Sequence, residues 1–231
     1  MDNIDAVILA GGRGTRLEGV VSDRPKPMAA IQGRPFLDLL IEDLMRQGLR
    51  RFVLSVGHRR EQIIEHYRTR NDAEFAFSEE DEPLGTGGAV RAAVGLVRAG
   101  VFLTLNGDSF CRVRIEDFVA FHESTRADAS MVVADSRGRT DGGSVDVAED
   151  GRVLRFLEKA AETNRMTFIN AGIYLMPKSL PSRWEFRTPF SLEHDVFPRL
   201  VAEGRFYGFR VDSEVIDIGT PDRYAEAQSK L

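Results

Sequence analysis

The sequence predicts an α/β protein with a doubly wound, Rossmann-like sheet in a single domain. Apolar runs of strand length alternate with longer segments of helical period through the first 135 residues. Several of these runs are apolar on both faces, which is typical of the buried strands of a parallel sheet. The length of 231 residues suits one large domain with its own core.

Five apolar runs in this part are predicted strands, and four segments between them are predicted helices. The strands span residues 6–10, 51–56, 74–78, 101–106 and 129–134. The helices span residues 36–47, 60–69, 86–97 and 115–124. The first helix ends before Gly48, a residue type that commonly follows a helix C-terminus. This alternation predicts βαβ units with right-handed crossovers.

The pattern changes after Asp135. Residues 144–159, SVDVAEDGRVLRFLEK, predict a hairpin around the turn Glu149-Asp-Gly-Arg. The later elements are a strand over 167–176, a helix near 192–202, strands over 205–211 and 215–218, and a last helix after Pro221. We expect residues 136–231 to form a smaller β-rich appendage on the sheet, and not a separate domain.

The composition argues against several classes of protein. No apolar segment is long and uncharged enough to cross a bilayer, and the single cysteine, Cys111, excludes an internal disulfide. The net charge of −5 argues against bulk binding to nucleic acid or anionic lipid. The first residues are acidic where a signal peptide would be basic. We therefore expect a cytoplasmic protein without nucleic-acid or membrane partners.

Charge is distributed unevenly along the chain. Residues 1–70 hold 12 basic and 9 acidic side chains, whereas residues 71–231 hold 19 basic and 27 acidic ones. A basic first part beside an acidic remainder suits a site where an anionic ligand meets a divalent cation. Only four of the 31 basic residues are lysines, and two of them, Lys26 and Lys159, lie within motifs described below.

The stretch AVILAGGRGTRL, residues 6–17, places three glycines directly after the first predicted strand. Glycine lets the backbone approach a phosphate closely and offer its amides as donors. The stretch lacks the Gly-Lys-Ser/Thr ending of a Walker A loop. Leu17 stands where a dinucleotide fingerprint needs a third glycine, which disfavours a nicotinamide or flavin oxidoreductase. The loop is instead a long wrap that reaches the next helix only at Phe36.

Four cations lie inside this wrap: Arg13, Arg16, Arg24 and Lys26. Cations that flank a loop rich in free amides favour a polyphosphate ligand. A solvated connection between strand and helix is the alternative, which the number of cations and the segment RPKPM make the weaker interpretation.

These residues resemble the signature of a known family. LAGGRGTRL followed by RPKPM is similar to the motifs of sugar-nucleotide pyrophosphorylases, the nucleotidyltransferases that join a nucleoside triphosphate to a sugar 1-phosphate. EEDEPLGTGGAV, LNGDSF, FLEK, INAGIYLM and VIDIGTPDRY follow in the family's order, so the resemblance covers residues 9–224. It implies a GT-A-like fold with a mixed sheet, a nucleotide-binding part up to about residue 135 and a sugar-phosphate-binding part in residues 136–231.

The resemblance also implies the residues of the nucleotide site. Arg16, Lys26 and Asp108 are the expected catalytic residues. Lysine suits Lys26 because a compact ammonium can follow charge as it moves between phosphate oxygens. The expected nucleotide-binding residues are Leu9, Ala10, Gly11, Gly12, Gly14, Thr15, Arg16, Lys26, Glu82, Pro83, Leu84, Gly85, Thr86, Gly87, Asn106 and Gly107.

Two aspartates are the expected ligands of a magnesium ion. Asp108 follows a buried strand, and Asp217 ends a later one. Magnesium is usually held by one or two carboxylates together with substrate phosphates. Either aspartate alone is explained equally well as a turn residue, and their joint position in the family's motifs supports the metal assignment.

The second substrate is expected to bind residues of the second half of the chain. The resemblance assigns Glu158, Lys159, Asn170 and Gly172 to the sugar 1-phosphate, with Lys159 on its phosphate. Glu193 is assigned either to the sugar or to a cap of the helix that it begins. Gly85, Gly87 and Gly88 would offer flat backbone to the nucleobase, or would simply begin a helix capped by Thr86.

Several substrates remain open from the sequence. The sequence most resembles guanylyltransferases acting on D-glycero-α-D-manno-heptose 1-phosphate, in its short length and in the segments KPM, PLGTGGA and FSLEHDVFP. Those enzymes supply nucleotide sugars for surface polysaccharide such as capsule. Mannose 1-phosphate guanylyltransferases and short uridylyltransferases share the same motifs, and no residue distinguishes guanine from uracil by a physical argument. A non-catalytic regulatory subunit would be expected to lose Lys26 or an aspartate. Homodimers are common in the family, and the sequence does not indicate an oligomeric state.

Overall fold

The computed structural model describes residues 4–136, 143–158 and 167–231. In chain order the strands are β1 (Asp5–Leu9), β2 (Ala30–Ile31), β3 (Arg34–Pro35), β4 (Arg51–Val56), β5 (Glu74–Glu79), β6 (Val101–Asn106), β7 (Ser109–Cys111), β8 (Ala129–Asp135), β9 (Ser144–Val147), β10 (Val153–Leu157), β11 (Phe168–Pro177), β12 (Phe206–Val211) and β13 (Val215–Asp217). The α-helices are α1 (Phe36–Arg46), α2 (Arg60–Arg68), α3 (Gly85–Ala93), α4 (Ile115–Thr125), α5 (Phe197–Glu203) and α6 (Pro221–Lys230).

Four parallel strands of the first half form one side of the central sheet, in the order β6-β1-β4-β5. The side chains of β1 alternate between two apolar layers, with Ala6 and Ile8 on one face and Val7 on the other. Both faces are covered, which explains why the strand is apolar from Ala6 to Leu9. The prediction of a doubly wound α/β sheet is confirmed.

The other side of the sheet is mostly antiparallel and comes mostly from the second half of the chain. One edge of β11 pairs antiparallel with β9 near its start and with β6 further along, and its opposite edge pairs antiparallel with β8. β12 then pairs parallel with β8. β11 therefore separates β6 from β8, although β8 follows β6 among the predicted strands. Residues on both sides of position 135 thus build one mixed sheet. The second half therefore contributes strands to the central sheet itself and is not only an appendage on it.

A small ribbon of two strands brings distant parts of the chain together at the end of β6. β7 pairs antiparallel with β13, with Asp217 opposite Ser109. The pairing continues where the amide of Ile218 donates to the carbonyl of Asp108 at 3.1 Å. β7 was not predicted, because a strand of three residues carries no periodicity of its own.

The last helix, α6, fixes the loop that follows the first glycines. The Tyr224 hydroxyl and the Gln228 side-chain amide both donate to the carbonyl of Ala30, at 2.6 and 2.7 Å. Ala30 begins the hairpin of β2 and β3, four residues after Lys26. The C-terminal segment therefore holds the position of the RPKPM loop.

Two predicted helices differ in their bounds. The helix expected over 86–97 is α3, which starts one residue earlier and ends in a 3-10 turn, Val94–Leu96. The helix expected near 192–202 is a π-helical turn, Leu192–Val196, that continues into α5. Pro198 lies in the first turn of α5, and its missing amide cannot continue a regular α-helix from the preceding turn.

Cys111 is buried in β7, and burial raises the pKa of its thiol to about 12, so it acts as a small apolar side chain. Among the described residues, none of the helices combines the length and apolar character that a membrane crossing requires.

Candidate active site

A cleft of about 540 Å³ opens at the carboxyl ends of β1 and β6, and we call it the central cleft. This is the edge of an open α/β sheet where ligands bind. Its lining residues are Leu9, Ala10, Gly11, Gly12, Arg13, Gly14, Thr15, Arg16, Lys26, Pro27, Glu80, Pro83, Leu84, Gly85, Thr86, Ala89, Asn106, Asp108 and Gly219. All the expected nucleotide-binding residues except Glu82, Gly87 and Gly107 are in this set.

The three glycines of the first loop serve different purposes. A Cβ on Gly11 would lie 2.9 Å from Oε1 of Glu80, and a Cβ on Gly14 would lie 2.8 Å from Cβ of Lys26. Gly14 also has a φ of +64°, which disfavours other residues. A Cβ on Gly12 would meet no heavy atom within 4 Å. The protein itself explains glycine at 11 and 14, whereas Gly12 leaves its backbone open to the cleft.

The glycines of the second motif pack against the protein and not only against a ligand. A Cβ on Gly87 would lie 2.4 Å from the Phe190 ring, and one on Gly85 would lie 2.4 Å from the Phe190 carbonyl oxygen. Gly87 is buried and does not line the cleft, which corrects the expectation that it offers backbone to a base. Gly85 and Thr86 do line it, and α3 begins at Gly85.

Gly107 and Glu82 also differ from the expectation. A Cβ on Gly107 would lie 2.7 Å from the Leu9 carbonyl oxygen, and the Gly107 amide donates to that oxygen at 2.9 Å. Gly107 therefore allows β1 and the end of β6 to approach, which places Asp108 at the cleft. Glu82 is exposed and is not among the residues that line the cleft.

Lys26 and Asp108 form an ion pair at the end of the cleft, with 2.5 Å between Nζ and Oδ2. The Lys26 side chain is only 12% exposed, so this pair is partly removed from solvent. The Ser109 hydroxyl donates to the other Asp108 oxygen at 3.3 Å. Gly14, without a side chain, leaves room for the Lys26 stem. The glycine loop, the RPKPM loop and β6 thus meet at one charged contact.

Asp217 lies beside this pair. Its Oδ1 accepts hydrogen bonds from the Gly219 amide at 2.9 Å and from Nη1 of Arg223 at 3.0 Å. A Cβ built on Gly219 would lie 2.9 Å from this Asp217 oxygen and 3.6 Å from Nζ of Lys26. The space between Asp217 and Lys26 at Gly219 is therefore narrow, and a side chain at position 219 would fill it. The pairing of β7 with β13 brings Asp217 toward Asp108, although Asp217 lines a neighbouring cavity and not the central cleft itself.

The donor set at this end fits a magnesium ion that also binds phosphates. Within residues 4–136, 143–158 and 167–231, no group of three or more His, Cys, Asp or Glu side chains could enclose an ion. Two carboxylates are what magnesium commonly takes from a protein when a phosphate substrate supplies the remaining ligands. Lys26 and Arg223 balance the two carboxylates in the structure described here.

Two of the residues expected for the second substrate, Asn170 and Gly172, lie in β11. The Asn170 amide donates to the Tyr174 hydroxyl at 2.7 Å, and its oxygen accepts from the Gly172 amide at 2.9 Å. Gly172 has a φ of +73°, and a Cβ there would lie 2.9 Å from Nδ2 of Asn106. Because Asn106 lines the cleft, Asn170 and Gly172 lie next to it. Burial holds the pKa of Tyr174 well above its usual range, so this hydroxyl stays neutral.

Glu158 follows β10, in the hairpin that pairs with the beginning of β11. Glu158 is half-buried, and Lys159 lies outside the described residues. Glu193 is only 9% exposed, and its Oε2 accepts from the Thr86 hydroxyl at 2.5 Å and from the Ser191 hydroxyl at 2.7 Å. The structure thus connects Glu193 with a residue of the nucleotide motif.

Sequence reasoning missed Glu80, which lines the cleft at the end of β5. Its Oε1 accepts from the buried Ser55 hydroxyl at 2.8 Å, and its Oε2 accepts from the Leu84 amide at 3.3 Å. In the sequence Glu80 cannot be distinguished from its three acidic neighbours, Glu79, Asp81 and Glu82. The contact of Glu80 with Gly11 depends on the pairing of β1, β4 and β5, which a local motif does not contain.

The chain belongs to the nucleotidyl transferase family, whose model matches residues 5–231. It is 35% identical over 229 residues to a D-glycero-alpha-D-manno-heptose 1-phosphate guanylyltransferase from Aneurinibacillus thermoaerophilus, covering 99% of this chain and 98% of that protein. It is 31% identical to a mannose-1-phosphate guanylyltransferase from Mycobacterium tuberculosis, covering 99% of this chain and 64% of that protein.

A solved structure of HddC from Yersinia pseudotuberculosis, complexed with GMP-PN, superimposes on the chain with a TM-score of 0.84. The two sequences are 35% identical, and the match covers 98% of this chain and 99% of that one. The family resemblance and the fold expected from it are therefore confirmed.

The different surroundings of the glycines give a direct test of the cleft. Gly12→Ala should change the free energy of unfolding by less than about 0.5 kcal/mol, because no atom meets the new methyl group. Gly87→Ala should lower it by about 1–3 kcal/mol, because the methyl group overlaps the Phe190 ring. Urea unfolding of both variants measures the difference.

Binding of a non-hydrolysable nucleoside triphosphate analogue completes this test. Gly12→Ala should weaken it, because the methyl group enters the cleft. Gly19→Ala, a second glycine whose Cβ would meet no atom within 4 Å and which does not line the cleft, is the matched control. Equal analogue affinity in wild type and Gly12→Ala would contradict the position assigned to the ligand.

Proposed function

We propose that this protein is a magnesium-dependent guanylyltransferase that joins GTP to D-glycero-α-D-manno-heptose 1-phosphate and releases pyrophosphate. The observation that carries the proposal is the charged contact of Lys26 with Asp108 at the end of a cleft lined by open glycine backbone. Membership of the nucleotidyl transferase family and full-length similarity to a heptose 1-phosphate guanylyltransferase support the reaction and the substrates.

The reaction brings two anions together, so the protein must align them and neutralise their charge. The sugar phosphate attacks the α-phosphorus of GTP, a bond forms between its oxygen and that phosphorus, and pyrophosphate leaves. Gly12 offers open backbone to the triphosphate, and Arg13 and Arg16 line the same side of the cleft. Lys26 lies where the reacting phosphates would meet, and its ammonium stabilises the charge that develops there.

Asp108 and Asp217 would hold the magnesium ion. When bound, the ion neutralises phosphate oxygens and orients them for displacement. With Asp108 holding the ion, the Lys26 ammonium, paired with Asp108 in this structure, would be available to the phosphates. Arg223 keeps Asp217 in position through its 3.0 Å contact. In this proposal Lys26, Asp108 and Asp217 each have a charged partner both before and after the substrates bind.

The sugar phosphate would bind beside Asn106, toward Asn170, Gly172 and Glu158. The Asn170 side chain is oriented by the neutral Tyr174 hydroxyl and by the Gly172 amide. Lys159 is the expected partner of the sugar's phosphate, as the family resemblance implies. Mannose 1-phosphate is the second candidate, because a mannose-1-phosphate guanylyltransferase matches 99% of this chain.

Glu80 favours guanine over uracil and thymine. Ser55 and Leu84 fix its carboxylate, which can only accept hydrogen bonds. Guanine presents two adjacent donors, N1–H and the 2-amino group, to a carboxylate. Uracil and thymine present one N–H between two carbonyl oxygens, which a carboxylate repels. This contact supplies the physical argument for guanine that the motifs alone lack.

A pyrophosphate-release screen tests the proposal. It crosses GTP, UTP, dTTP, ATP and CTP with the 1-phosphates of D-glycero-D-manno-heptose, mannose and glucose, and the heptose with GTP should give the highest kcat/KM. A pyrimidine triphosphate as the best donor, or no release with any pair, would contradict it.

Lys26→Ala provides the catalytic check on the same assay. It should lower kcat by about 10²–10³-fold while changing the affinity for a GTP analogue far less, because Lys26 acts on charge in the transition state. Lys230→Ala is the matched control, since Lys230 pairs with Glu214 and Glu226 away from the cleft. Wild-type turnover in Lys26→Ala would remove the lysine from the mechanism.

Glu80→Gln should shift base selection from guanine toward uracil. The carboxamide offers one donor and one acceptor, which suits uracil, and guanine loses one of its acceptors. We expect the ratio of kcat/KM for GTP to that for UTP to fall at least about tenfold. Glu79→Gln, an exposed neighbour, should leave the ratio unchanged. An unaltered ratio in Glu80→Gln would show that the base is selected elsewhere.

A further inference from the structure

One wall of the central cleft is held by a segment from the second half of the chain. We call residues 84–86 the cleft wall, since all three line the cleft. The Phe190 amide donates to the Leu84 carbonyl at 3.1 Å. The amides of Gly87 and Gly88, directly after the wall, donate to the Phe190 carbonyl at 3.0 and 3.2 Å. These hydrogen bonds couple the position of the cleft wall to the backbone of Phe190.

Thr86 is the side chain through which the two segments are joined. Its hydroxyl donates to Oε2 of Glu193 at 2.5 Å and accepts from the Leu192 amide at 2.9 Å. Both the donor and an acceptor position of this hydroxyl are thus used. The direction of the Thr86 side chain in the cleft is set by Glu193 on one side and by the backbone on the other.

Glu193 is built into the segment as a fixed acceptor. The Ser191 hydroxyl donates to the same Oε2 at 2.7 Å, and it accepts from the Glu193 amide at 3.1 Å. The side chain is nine-tenths buried and is not among the residues that line the cleft. A hydrogen bond to a buried carboxylate is stronger than one between neutral groups.

Phe190 anchors the segment from behind. The Arg91 guanidinium lies 4.5 Å from the centre of its ring and donates to the Phe186 carbonyl and to the Thr188 hydroxyl. The ring in turn occupies the space that a side chain at position 87 would need. A connected set of contacts therefore runs from α3 through Phe190 to Glu193.

We propose that Glu193 is a positioning residue for the nucleotide, acting through Thr86. This inference rests on the proposed function, in which GTP occupies the central cleft. The family resemblance offers the sugar 1-phosphate as a contact of Glu193, whereas the hydrogen bonds of its carboxylate lead to the nucleotide side. Loss of Glu193 leaves Thr86 without its charged acceptor and lets the cleft wall relax, so nucleotide affinity falls before any sugar phosphate is present.

Calorimetric titration with a non-hydrolysable GTP analogue, in the absence of sugar phosphate, tests the inference. Glu193→Ala should weaken analogue binding about tenfold, and Glu193→Gln should restore most of it, because a carboxamide oxygen still accepts from Thr86. Thr86→Val should weaken binding as well, and the double variant Thr86→Val with Glu193→Ala should be no weaker than the weaker single variant. His194→Ala, an exposed neighbour, is the matched control.

Two results would overturn the inference. One is wild-type analogue affinity in Glu193→Ala together with a raised KM for the sugar 1-phosphate, which would make Glu193 a sugar ligand. The other is additive losses in the double variant. If Glu193→Ala does not fold, as judged by circular dichroism, Glu193→Gln and Thr86→Val with Thr86→Ser as control decide the question. Failure of the wild type to bind the GTP analogue would instead count against the proposed function itself.

Discussion

The contact of Lys26 with Asp108 is the interaction on which the rest of the site depends. Lys26 begins a short 3-10 turn, Lys26–Met28, in the long connection between β1 and α1, and Asp108 follows a strand of the central sheet. The contact forms because Gly14 makes room for the lysine stem and because α6 holds the hairpin behind it. An ammonium paired with a carboxylate is stable without ligands and can exchange that partner for phosphate when a metal ion takes the carboxylate.

The second half of the chain completes the site of the first half at three points. β13 brings Asp217 beside the lysine, β11 places Asn170 and Gly172 next to Asn106, and the segment from Phe190 to Glu193 supports the cleft wall. Each point is a contact between residues far apart in sequence. The division near residue 135 is therefore a change in pattern and not a boundary between structural units, since the sheet itself crosses it.

Much of the fold could be predicted from the sequence, because buried parallel strands and amphipathic helices leave local patterns. The strands around Ile8, Leu54 and Leu105 are examples. The position of β11 between β6 and β8 could not, since strand order depends on long-range pairing. The motifs located the cleft, but the reasons for single residues needed coordinates: Gly87 is glycine because of Phe190, and Glu80 acts from within a run of acids.

We propose that Asp108, which pairs with Lys26 in this structure, would hold a magnesium ion when the triphosphate is bound. Calorimetric titration of a GTP analogue with and without magnesium, in wild type and Asp108→Asn, measures it directly, with the exposed Asp222→Asn as control. We expect magnesium to tighten binding to wild type and to Asp222→Asn. We also expect Asp108→Asn to lose most of this gain while binding the metal-free analogue at least as well as wild type. The same magnesium gain in all three proteins would contradict the account.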